Sequence, residues 1–396
     1  MQSTRSPKDT SVKHYASTMT GAAVLDQAAG SLIAMLSSCL VNGFGMQSAS
    51  AFTVSNGVGQ ITVPVPTKWE RMCVIDVAGC TDVSYNGEYK LSEVSADGLR
   101  VSFPIDAPDG AVGGVAITVK LAAAGWLLRF ADAAANKAVY MPGTPQWAGH
   151  CLWVHDVSGT HARVRGYESM AGLNEWFGPW PTDAQVPGGG YLYKAWGTDR
   201  PSPWAVVCDE KCVHIGIAPG VSANEANLAW VFRTFGLMQA LTDSDQHAVV
   251  LSSQTDTSLN AGSVGFGTLG AVQTGPSASL AFARSADGVD AAVIALSECL
   301  AQGTNGDSGN DTSCGPRSGV GVGGLIFAQK FLRVEAGGYP RAKIPGVLHL
   351  MHTGGRPAEE VSVDGRLYRL WVSIPYGGNT SYTGCALPID VEGPWR

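Results

Sequence analysis

The sequence has few charged residues and no segment rich in lysine or arginine. Charged side chains make up 15% of the 396 residues, whereas an average soluble protein has about 25%. The net charge is −7 and the isoelectric point is about 5.6. These values argue against a nucleic-acid binder, whose usual feature is a basic patch, so we expect no nucleic-acid partner.

Long apolar runs and paired cysteines are also missing. No run of about 18 apolar residues occurs, which predicts that the chain has no membrane span. The start, MQSTRSPKDTSVKHYAST, lacks the apolar core of a secretory signal. The nine cysteines are scattered without a C-x-x-C pair. We interpret them as buried thiols of a protein that folds in a reducing cytoplasm.

Glycine, in contrast, is abundant, with 50 residues, nearly twice the usual share of about 7%. Low charge, many glycines and short runs of Val, Thr, Ser and Trp predict strands joined by tight turns. An ordinary β-rich enzyme would have a similar composition. The segment NGEYKLSEVSADGLRVSF (86–103) alternates apolar and polar residues on both sides of Asp97-Gly98. This alternation around an Asp-Gly pair predicts a β-hairpin.

Residues 21–41 are the one segment with a clear helical period. Their apolar stripe consists of Leu32, Ile33, Leu36, Cys39 and Leu40. Asn42-Gly43 supplies a C-terminal stop. Residues 1–45 therefore predict a flexible or partner-docked arm of about 20 residues followed by an amphipathic helix that docks to another protein or to a second copy. The alternative is that the helix plugs the adjacent β domain.

Strand patterns dominate the rest of the chain. Residues 46–122 predict about five short strands, which is the size of a small β barrel or sandwich. Residues 123–396 predict consecutive hairpins, because the crossover helices that a parallel sheet needs are missing. Four are predicted: one at GGGYLYKAWG and three with turns at Asn136-Lys137, Ser158-Gly159 and Asp209-Glu210. We expect a variable central insertion at about 221–320, including the polar loop 301–319. The predicted fold is mainly β: an arm and helix, a small β barrel or sandwich, and a larger antiparallel β-sandwich-like region.

No catalytic motif is complete. The GDSG tetrapeptide (306–309) lacks a matching histidine segment, and GVGVGG (319–324) lacks the strand before it and the helix after it that bind a dinucleotide. His150, His155 and His161 lie across one predicted hairpin and are candidates for a metal site, although hydrogen-bonded strand histidines are more common. We predict no cofactor, no metal and no catalytic residue, and therefore no enzyme.

Tryptophan is the most conspicuous chemical feature. Six of the eleven tryptophans fall close together, at Trp147, Trp153, Trp176, Trp180, Trp196 and Trp204. Such a cluster fills a core, forms a protein interface or stacks on sugars. Trp147, Trp176, Trp180 and Trp196 are the candidates for an interface or a glycan-facing surface. A glycan-cleaving enzyme would need paired carboxylates, for which the candidates are Asp156, Glu168, Glu175 and Asp183.

Several segments carry a resemblance that covers nearly the whole chain. The most specific is YASTMTGAAVLDQAAGSLIAMLSSCLVNGFG (15–45). The others are SYNGEYKLSEV, NKAVYM, ARVRGYESM, FGPWPTDAQVPGGGYLYKAW, RAKIPGVLHLMH and the terminal VEGPWR. Together they resemble a family of virion structural proteins of tailed bacteriophages, and the part around 221–320 departs most from it. The resemblance implies a virion component and transfers no catalytic residues.

The resemblance and the incomplete motifs predict a non-enzymatic structural component of the tail, the baseplate or the fibre-attachment region. Its partners would be other virion proteins and copies of itself, with a host receptor or glycan as a further candidate. It would reside in the virion and, during assembly, in the host cytoplasm. One alternative is a capsid decoration or neck protein. Another is a carbohydrate-binding or tailspike-like host-recognition protein.

Overall fold

A computed structural model describes most of the chain. The residues it describes are 8–144, 149–195, 200–218, 231–243, 245, 247–255, 257, 279–285, 291–298, 327–334, 340–350, 360–363, 365–373 and 385–396. Strands make up 52% and helices 6%, so the protein is mainly β, as predicted. Trp147, Trp196, the loop 301–319 and most of the expected insertion at 221–320 lie outside the described residues.

The helical part is shorter than the predicted span of 21–41. Helix α1 covers Ser31–Ser37 and continues directly into a π-helical turn at Ser38–Asn42, and a separate 3₁₀ turn lies at Val83–Tyr85. Gly30 precedes α1 with a φ of 82°, a left-handed conformation that stops the helix from extending further toward the N-terminus. Gly43 follows the π-helical turn with a φ of 68°, which confirms the predicted stop at Asn42-Gly43.

Two small antiparallel sheets follow the helix. The first strand of the chain, β1 (Lys13–Ala16), belongs to a larger sheet, and the small sheets consist of β2 (Phe44–Ser48), β3 (Ala51–Ser55), β4 (Val58–Thr62), β5 (Val74–Cys80), β6 (Gly87–Lys90), β7 (Glu93–Val94), β8 (Arg100–Pro104), β9 (Gly110–Ala111) and β10 (Gly114–Leu121). One sheet has the order β2-β10-β5-β6 and the other the order β7-β8-β4-β3-β9. The two sheets pack together, since the Tyr89 ring of the first stacks on the Phe103 ring of the second at 4.4 Å between centroids.

The hairpin predicted around Asp97-Gly98 is confirmed, with a difference at its first strand. β7 and β8 pair antiparallel, with Val94 opposite Val101, and Gly98 has a φ of 69°. Tyr89 pairs instead with Ile75 in the other sheet. The alternating segment therefore crosses from one sheet to the other between β6 and β7, a step that alternation alone cannot reveal.

The remaining strands form one large curled sheet of 19 strands, to which β1 also belongs. They are β11 (Leu127–Asp132), β12 (Lys137–Met141), β13 (Cys151–His155), β14 (His161–Gly172), β15 (Glu175–Trp180), β16 (Gly190–Tyr193), β17 (Trp204–Cys208), β18 (Cys212–Ile217), β19 (Val231–Leu237), β20 (Gln239–Ala240), β21 (Val249–Gln254), β22 (Ser279–Arg284), β23 (Ala291–Glu298), β24 (Phe327–Val334), β25 (Pro340–Leu350), β26 (Glu360–Val363), β27 (Arg366–Ser373) and β28 (Cys385–Asp390). The predicted antiparallel hairpins β11–β12, β13–β14 and β17–β18 are present. The hairpin predicted at GGGYLYKAWG is wrong, because its described part is the single strand β16, which pairs with β14 and β21.

Part of the predicted flexible arm is an ordered strand, so that prediction is wrong for residues 13–16. β1 pairs antiparallel with β17, with Lys13 opposite Cys208 and Ala16 opposite Ala205. Tyr15 is 1% exposed, and its hydroxyl donates to the Ala122 carbonyl at 2.6 Å. The buried Tyr15 ring and the hydrogen bond of its hydroxyl hold this segment in the sheet.

One hydrophobic core runs through the small sheets, α1 and the large sheet. Leu32 of α1, Phe103 of the small sheets and Trp180 and Trp204 of the large sheet belong to the same buried cluster. A second cluster contains Val12 and the C-terminal Trp395. The large and small sheets therefore share their interior through the helix.

A buried ion pair fixes α1 against the large sheet. Asp156 follows β13 and Lys194 follows β16. The Lys194 Nζ atom lies 2.5 Å from Asp156 Oδ1, and both side chains are fully buried. The other carboxylate oxygen, Oδ2, accepts from the backbone N–H groups of Leu32 at 2.7 Å and Ile33 at 3.3 Å. Lys194 also donates to the Ala28 carbonyl at 2.6 Å. The carboxylate thus satisfies N–H groups that have no partner within the helix.

The C-terminal segment returns to the large sheet. Trp395 is 6% exposed and lies over Gly346, where a Cβ would come within 2.2 Å of its ring. The Trp395 ring lies 5.1 Å from the ring of His214. Arg396 Nε lies 2.9 Å from Asp209 Oδ2, and Lys90 donates to the Val391 carbonyl at 3.4 Å. These contacts tie the end of the chain to β6, β18 and β25.

We predict that Asp156→Ala lowers the free energy of unfolding by about 3–5 kcal/mol, because it leaves the Lys194 ammonium buried without its counter-charge. The double variant Asp156→Leu/Lys194→Met should lose clearly less unfolding free energy than the sum of the losses caused by Asp156→Leu and Lys194→Met alone. Urea denaturation followed by tryptophan fluorescence measures both. Asp76→Ala, which removes the surface pair with Lys120 at 3.8 Å, is the matched control and should change stability by less than about 1 kcal/mol. Equal effects of Asp156→Ala and Asp76→Ala would contradict the assignment.

Three buried histidines predict a loss of stability in acid. Burial lowers the pKa of His214 and of His150 to about 4, and lowers the pKa of His14 well below its ordinary value of 6.5. Between about pH 6.5 and pH 4 the unfolded chain therefore binds protons that the folded chain does not, so stability falls as the pH falls. The urea midpoint, measured across this range, should decrease steadily.

A substitution isolates the contribution of His214. Its Nε2 atom lies 2.9 Å from the Pro345 carbonyl, to which it donates, and its Nδ1 atom accepts from the Thr234 hydroxyl at 2.8 Å. His214→Gln removes one titrating group, so the variant should show a flatter dependence on pH than the wild type. An unchanged slope would contradict the role of this residue.

Candidate interaction surface

The outer side of strands β11–β15 carries a separate apolar cluster. We call this surface the aromatic face, and its members are Leu127, Phe130, Val139, Met141, Cys151, Trp153, Tyr167, Met170, Leu173 and Trp176. Val139 lies opposite Phe130 on one side and opposite Trp153 on the other. The alternate residues of the same strands, such as Tyr140 and Leu152, point into the main core. Both sides of this sheet are apolar. On the outer side Val139, Cys151, Tyr167 and Met170 are already buried, so the accessible apolar area comes from the other members of the face.

Trp176 and Leu127 are the most exposed parts of the aromatic face. Trp176 is 47% exposed and Leu127 is 48% exposed. The Trp176 ring lies 5.3 Å from the Tyr167 ring at an interplanar angle of 35°, so the neighbouring aromatic side chain supports it. Phe177, the next residue on β15, is 65% exposed. Successive residues of a strand point to opposite sides, so Phe177 lies outside the aromatic face, and the exposed Trp176 ring is the feature typical of a contact surface.

The other predicted tryptophans have different positions. Trp180 is fully buried, and it fills space that Gly166 leaves open, where a Cβ would come within 2.3 Å of its ring. It also stacks on Phe235 at 6.5 Å between centroids. Trp180 is therefore a core residue, which corrects its assignment to an interface or glycan-facing surface. Trp147 and Trp196 lie outside the described residues. Of the two candidates that the structure describes, only Trp176 lies at the surface.

A row of cations borders the aromatic face. Lys137 lies opposite His155, and His155 lies opposite Arg163. The Arg163 guanidinium sits 3.6 Å from the centroid of the Tyr191 ring, and Arg129 lies 5.4 Å from that of Phe130. Burial lowers the pKa of His155 below its ordinary value, with Lys137 as a further cause. The fixed positive charges come from Arg129, Lys137 and Arg163.

These three cations have no carboxylate partner within 4.0 Å among the residues that the structure describes. Arg165, their neighbour on β14, differs because its Nη2 atom contacts Asp183 Oδ1 at 2.7 Å. Arg163 instead donates to the Gly189 carbonyl at 2.6 Å. Cations without a described carboxylate partner therefore lie beside the partly buried rings of Phe130 and Tyr191, and arginine and aromatic side chains are enriched at protein interfaces.

The four residues proposed for a docking helix pack into the hydrophobic core of their own chain. Leu32, Leu36 and Leu40 are fully buried, and Ile33 is partly buried against the same core. Docking to another protein would require these side chains to leave that core. Their positions match the alternative interpretation, in which the helix plugs the adjacent β structure, so we do not assign them to an interface.

The carboxylates considered for glycan cleavage mostly form structural contacts. Asp156 is held by Lys194, and Glu168 Oε1 lies 2.6 Å from Arg284 Nε. The hydrogen bond from Arg165 lowers the pKa of Asp183 below its ordinary value. Glu175 is exposed on β15. A general acid needs a raised pKa, and a carboxyl group held by a guanidinium has the opposite electrostatic environment.

One cysteine lies near a histidine and a glutamate, which calls for a test of nucleophilic chemistry. The Cys73 sulfur is 3.5 Å from His14 Nε2, and Glu70 Oε2 is 3.8 Å from the same nitrogen. A catalytic triad uses the two ring nitrogens separately, one for the nucleophile and one for the acid. Burial also raises the pKa of the Cys73 thiol, which favours the unreactive protonated form. The group is therefore a buried structural contact.

The histidines considered for a metal do not converge. His150 packs edge-on against Trp180 at 5.5 Å, whereas His161 contacts the Thr160 hydroxyl at 2.8 Å and His155 lies beside Trp153. Within the described ranges, no three His, Cys, Asp or Glu side chains are close enough together to hold a metal ion.

Comparison with known proteins identifies no family. No family model and no curated protein sequence matches this chain. In the described residues no helix combines the length and the apolar composition needed to cross a membrane. Two observations bear on the function: the aromatic face, and the resemblance of residues 15–45 and of the later segments to virion structural proteins of tailed bacteriophages.

Sequence reasoning missed the hairpin that carries the exposed aromatic residues. β14 and β15 pair antiparallel with Met170 opposite Trp176 and Gly172 opposite Glu175. The segment EWFGPW has no simple alternation, Gly178 adopts a φ of 59°, and the register of the hairpin shifts between Met170 and Gly172. The row of cations was missed as well, because its members come from three different strands and meet only when the strands pair.

Two tryptophans of the same strand provide a direct test. Trp180→Ala should lower the free energy of unfolding by about 3–5 kcal/mol, because it opens a cavity in the core. Trp176→Ser should change stability by less than about 1 kcal/mol and should remove much of the fluorescence that acrylamide quenches rapidly. Equal destabilisation by the two substitutions would contradict the assignment of Trp176 to the surface.

Proposed function

We propose that this protein is a non-enzymatic structural component of a tailed-phage virion, located in the tail, the baseplate or the fibre-attachment region. The observation that carries the proposal is the aromatic face, where Trp176 is 47% exposed and the cations Arg129, Lys137 and Arg163 have no carboxylate partner among the described residues. Such a surface suits a part that is assembled by contact with other proteins. The resemblance of residues 15–45 and of the later segments to tailed-phage virion proteins supplies the biological setting.

The polar groups of the interior are consistent with this proposal. The buried Asp156 and Lys194 hold a helix, and Cys73 with His14 forms an unreactive contact. Glu168 is paired with Arg284. In each case the group that a catalytic mechanism would use already stabilises the fold, which favours a structural role.

Recognition of a host-surface glycan is a second candidate function of the same face. Trp176, supported by Tyr167 at 5.3 Å, offers an exposed ring on which a sugar can stack. Capsid decoration or a position at the neck are further alternatives, and they differ from the leading proposal only in where the protein sits. The aliphatic members Leu127 and Met141 favour a protein partner over a sugar, because they offer no hydrogen bonds.

Mass spectrometry of purified virions, combined with immunogold labelling by antibodies raised against the whole chain, tests the proposal. We expect peptides of this protein in the particle and gold at the tail end. Gold over the head would replace this location with decoration or neck. Absence of the peptides from the particle would contradict a virion role altogether.

The glycan alternative has its own test. Binding of the purified chain to host-surface polysaccharide that Trp176→Ser abolishes would favour recognition of glycans. Absence of binding by the wild-type chain would remove this alternative and leave the protein interface.

A further inference from the structure

The small sheets carry an exposed acidic surface at the end where β10 begins. We call it the acidic tip, and its members are Asp82, Val83, Asp106, Asp109 and Val115. Two hydrogen bonds join the loops that form it, from Thr81 N to the Gly113 carbonyl at 2.9 Å and from the Tyr85 hydroxyl to the Pro108 carbonyl at 3.2 Å. β10 leads away from this tip over the residues Gly114–Leu121, a rise of roughly 23 Å at about 3.3 Å per residue.

The acidic tip combines like charges with exposed apolar side chains. Val83 is 78% exposed and Val115 is 104% exposed. Hydrogen bonds from Ser84 lower the pKa of Asp82 below its ordinary value, and Asp109 Oδ1 accepts from the Asn56 N–H at 2.9 Å. Residues 81–89 and 104–118 contain no lysine or arginine. Apolar residues surrounded by carboxylates leave this surface with a net negative charge and an apolar centre.

The aromatic face has the opposite arrangement. Arg129, Lys137 and Arg163 supply positive charges without a carboxylate partner in the described part of the chain, and Leu127, Phe130 and Trp176 supply the apolar area. Three aspartates at the tip thus correspond to three cations at the face. The two surfaces lie in different parts of the fold, one at the far end of the small sheets and one on the large sheet.

We propose that the acidic tip of one copy binds the aromatic face of the next copy. This inference rests on the proposed virion role and specifies how copies would assemble. Opposite charges orient the two surfaces and exclude a face-to-face contact, in which like charges would meet. The apolar side chains Val83 and Val115 contact the exposed rings when the surfaces close. Because the two surfaces differ, the contact is head-to-tail and generates a ring or an open filament rather than a two-fold dimer.

Sedimentation velocity of the full-length chain tests this contact. The wild type should form oligomers larger than a dimer at low ionic strength, and the oligomers should weaken as salt is added. Asp106→Lys and Lys137→Glu each place like charges in the contact, so each variant alone should associate at least about tenfold more weakly, which corresponds to about 1.4 kcal/mol. Glu93→Lys is the matched control, because it makes the same charge change at an exposed residue outside both surfaces, and it should associate like the wild type.

Mixing the two variants gives the decisive result. The unchanged tip of Lys137→Glu meets the unchanged face of Asp106→Lys, and the reversed tip of Asp106→Lys meets the reversed face of Lys137→Glu. An equimolar mixture should therefore recover oligomers that neither variant forms alone, which also shows that both variants are folded. A monomeric wild type, association of the single variants at the wild-type level, or failure of the mixture to recover oligomers would overturn the proposal. A chain that is monomeric in solution but present in virions would refute this contact and leave the proposed function intact.

Discussion

The fold depends on one buried pair of charges. Asp156 and Lys194 lie 2.5 Å apart without exposure to solvent, so neither can be buried alone without a large penalty. The same carboxylate accepts from the first N–H groups of α1, which fixes the helix against the large sheet. Since the apolar side chains of α1 belong to the core shared by the small and large sheets, this pair determines how the helix joins them.

This arrangement divides the polar groups into two classes. In the interior, Asp156, Glu168 and Cys73 form contacts that hold strands and helix in place. At the surface, Arg129 and Lys137 have no carboxylate partner in the described ranges. The described interior groups stabilise the fold, whereas the cations of the aromatic face are accessible to a partner. The proposed role follows from this division.

The sequence predicted local features better than distant ones. Turns marked by Asp97-Gly98, Ser158-Gly159 and Asp209-Glu210 gave the correct hairpins, because turn chemistry acts over a few residues. The pairing of β1 with β17 and the cap that Asp156 provides for α1 join residues far apart in the chain, and no periodicity encodes them. Trp176 and Trp180 show the same limit for the site. Both occur in one aromatic segment, and the Trp180 ring is buried in the space beside Gly166, a residue of the neighbouring strand that no local pattern links to it.

Zero-length carbodiimide cross-linking of intact virions, followed by mass spectrometry, tests most directly the central claim that copies of this chain assemble by contact in the particle. Lys13 and Glu88, whose charged atoms lie 3.0 Å apart within one chain, provide an internal reference. We expect cross-links that join Lys137 to Asp106 or Asp109 of a neighbouring copy. Recovery of the Lys13–Glu88 cross-link without any of these would contradict the head-to-tail contact, and absence of all peptides of this chain would contradict its place in the virion.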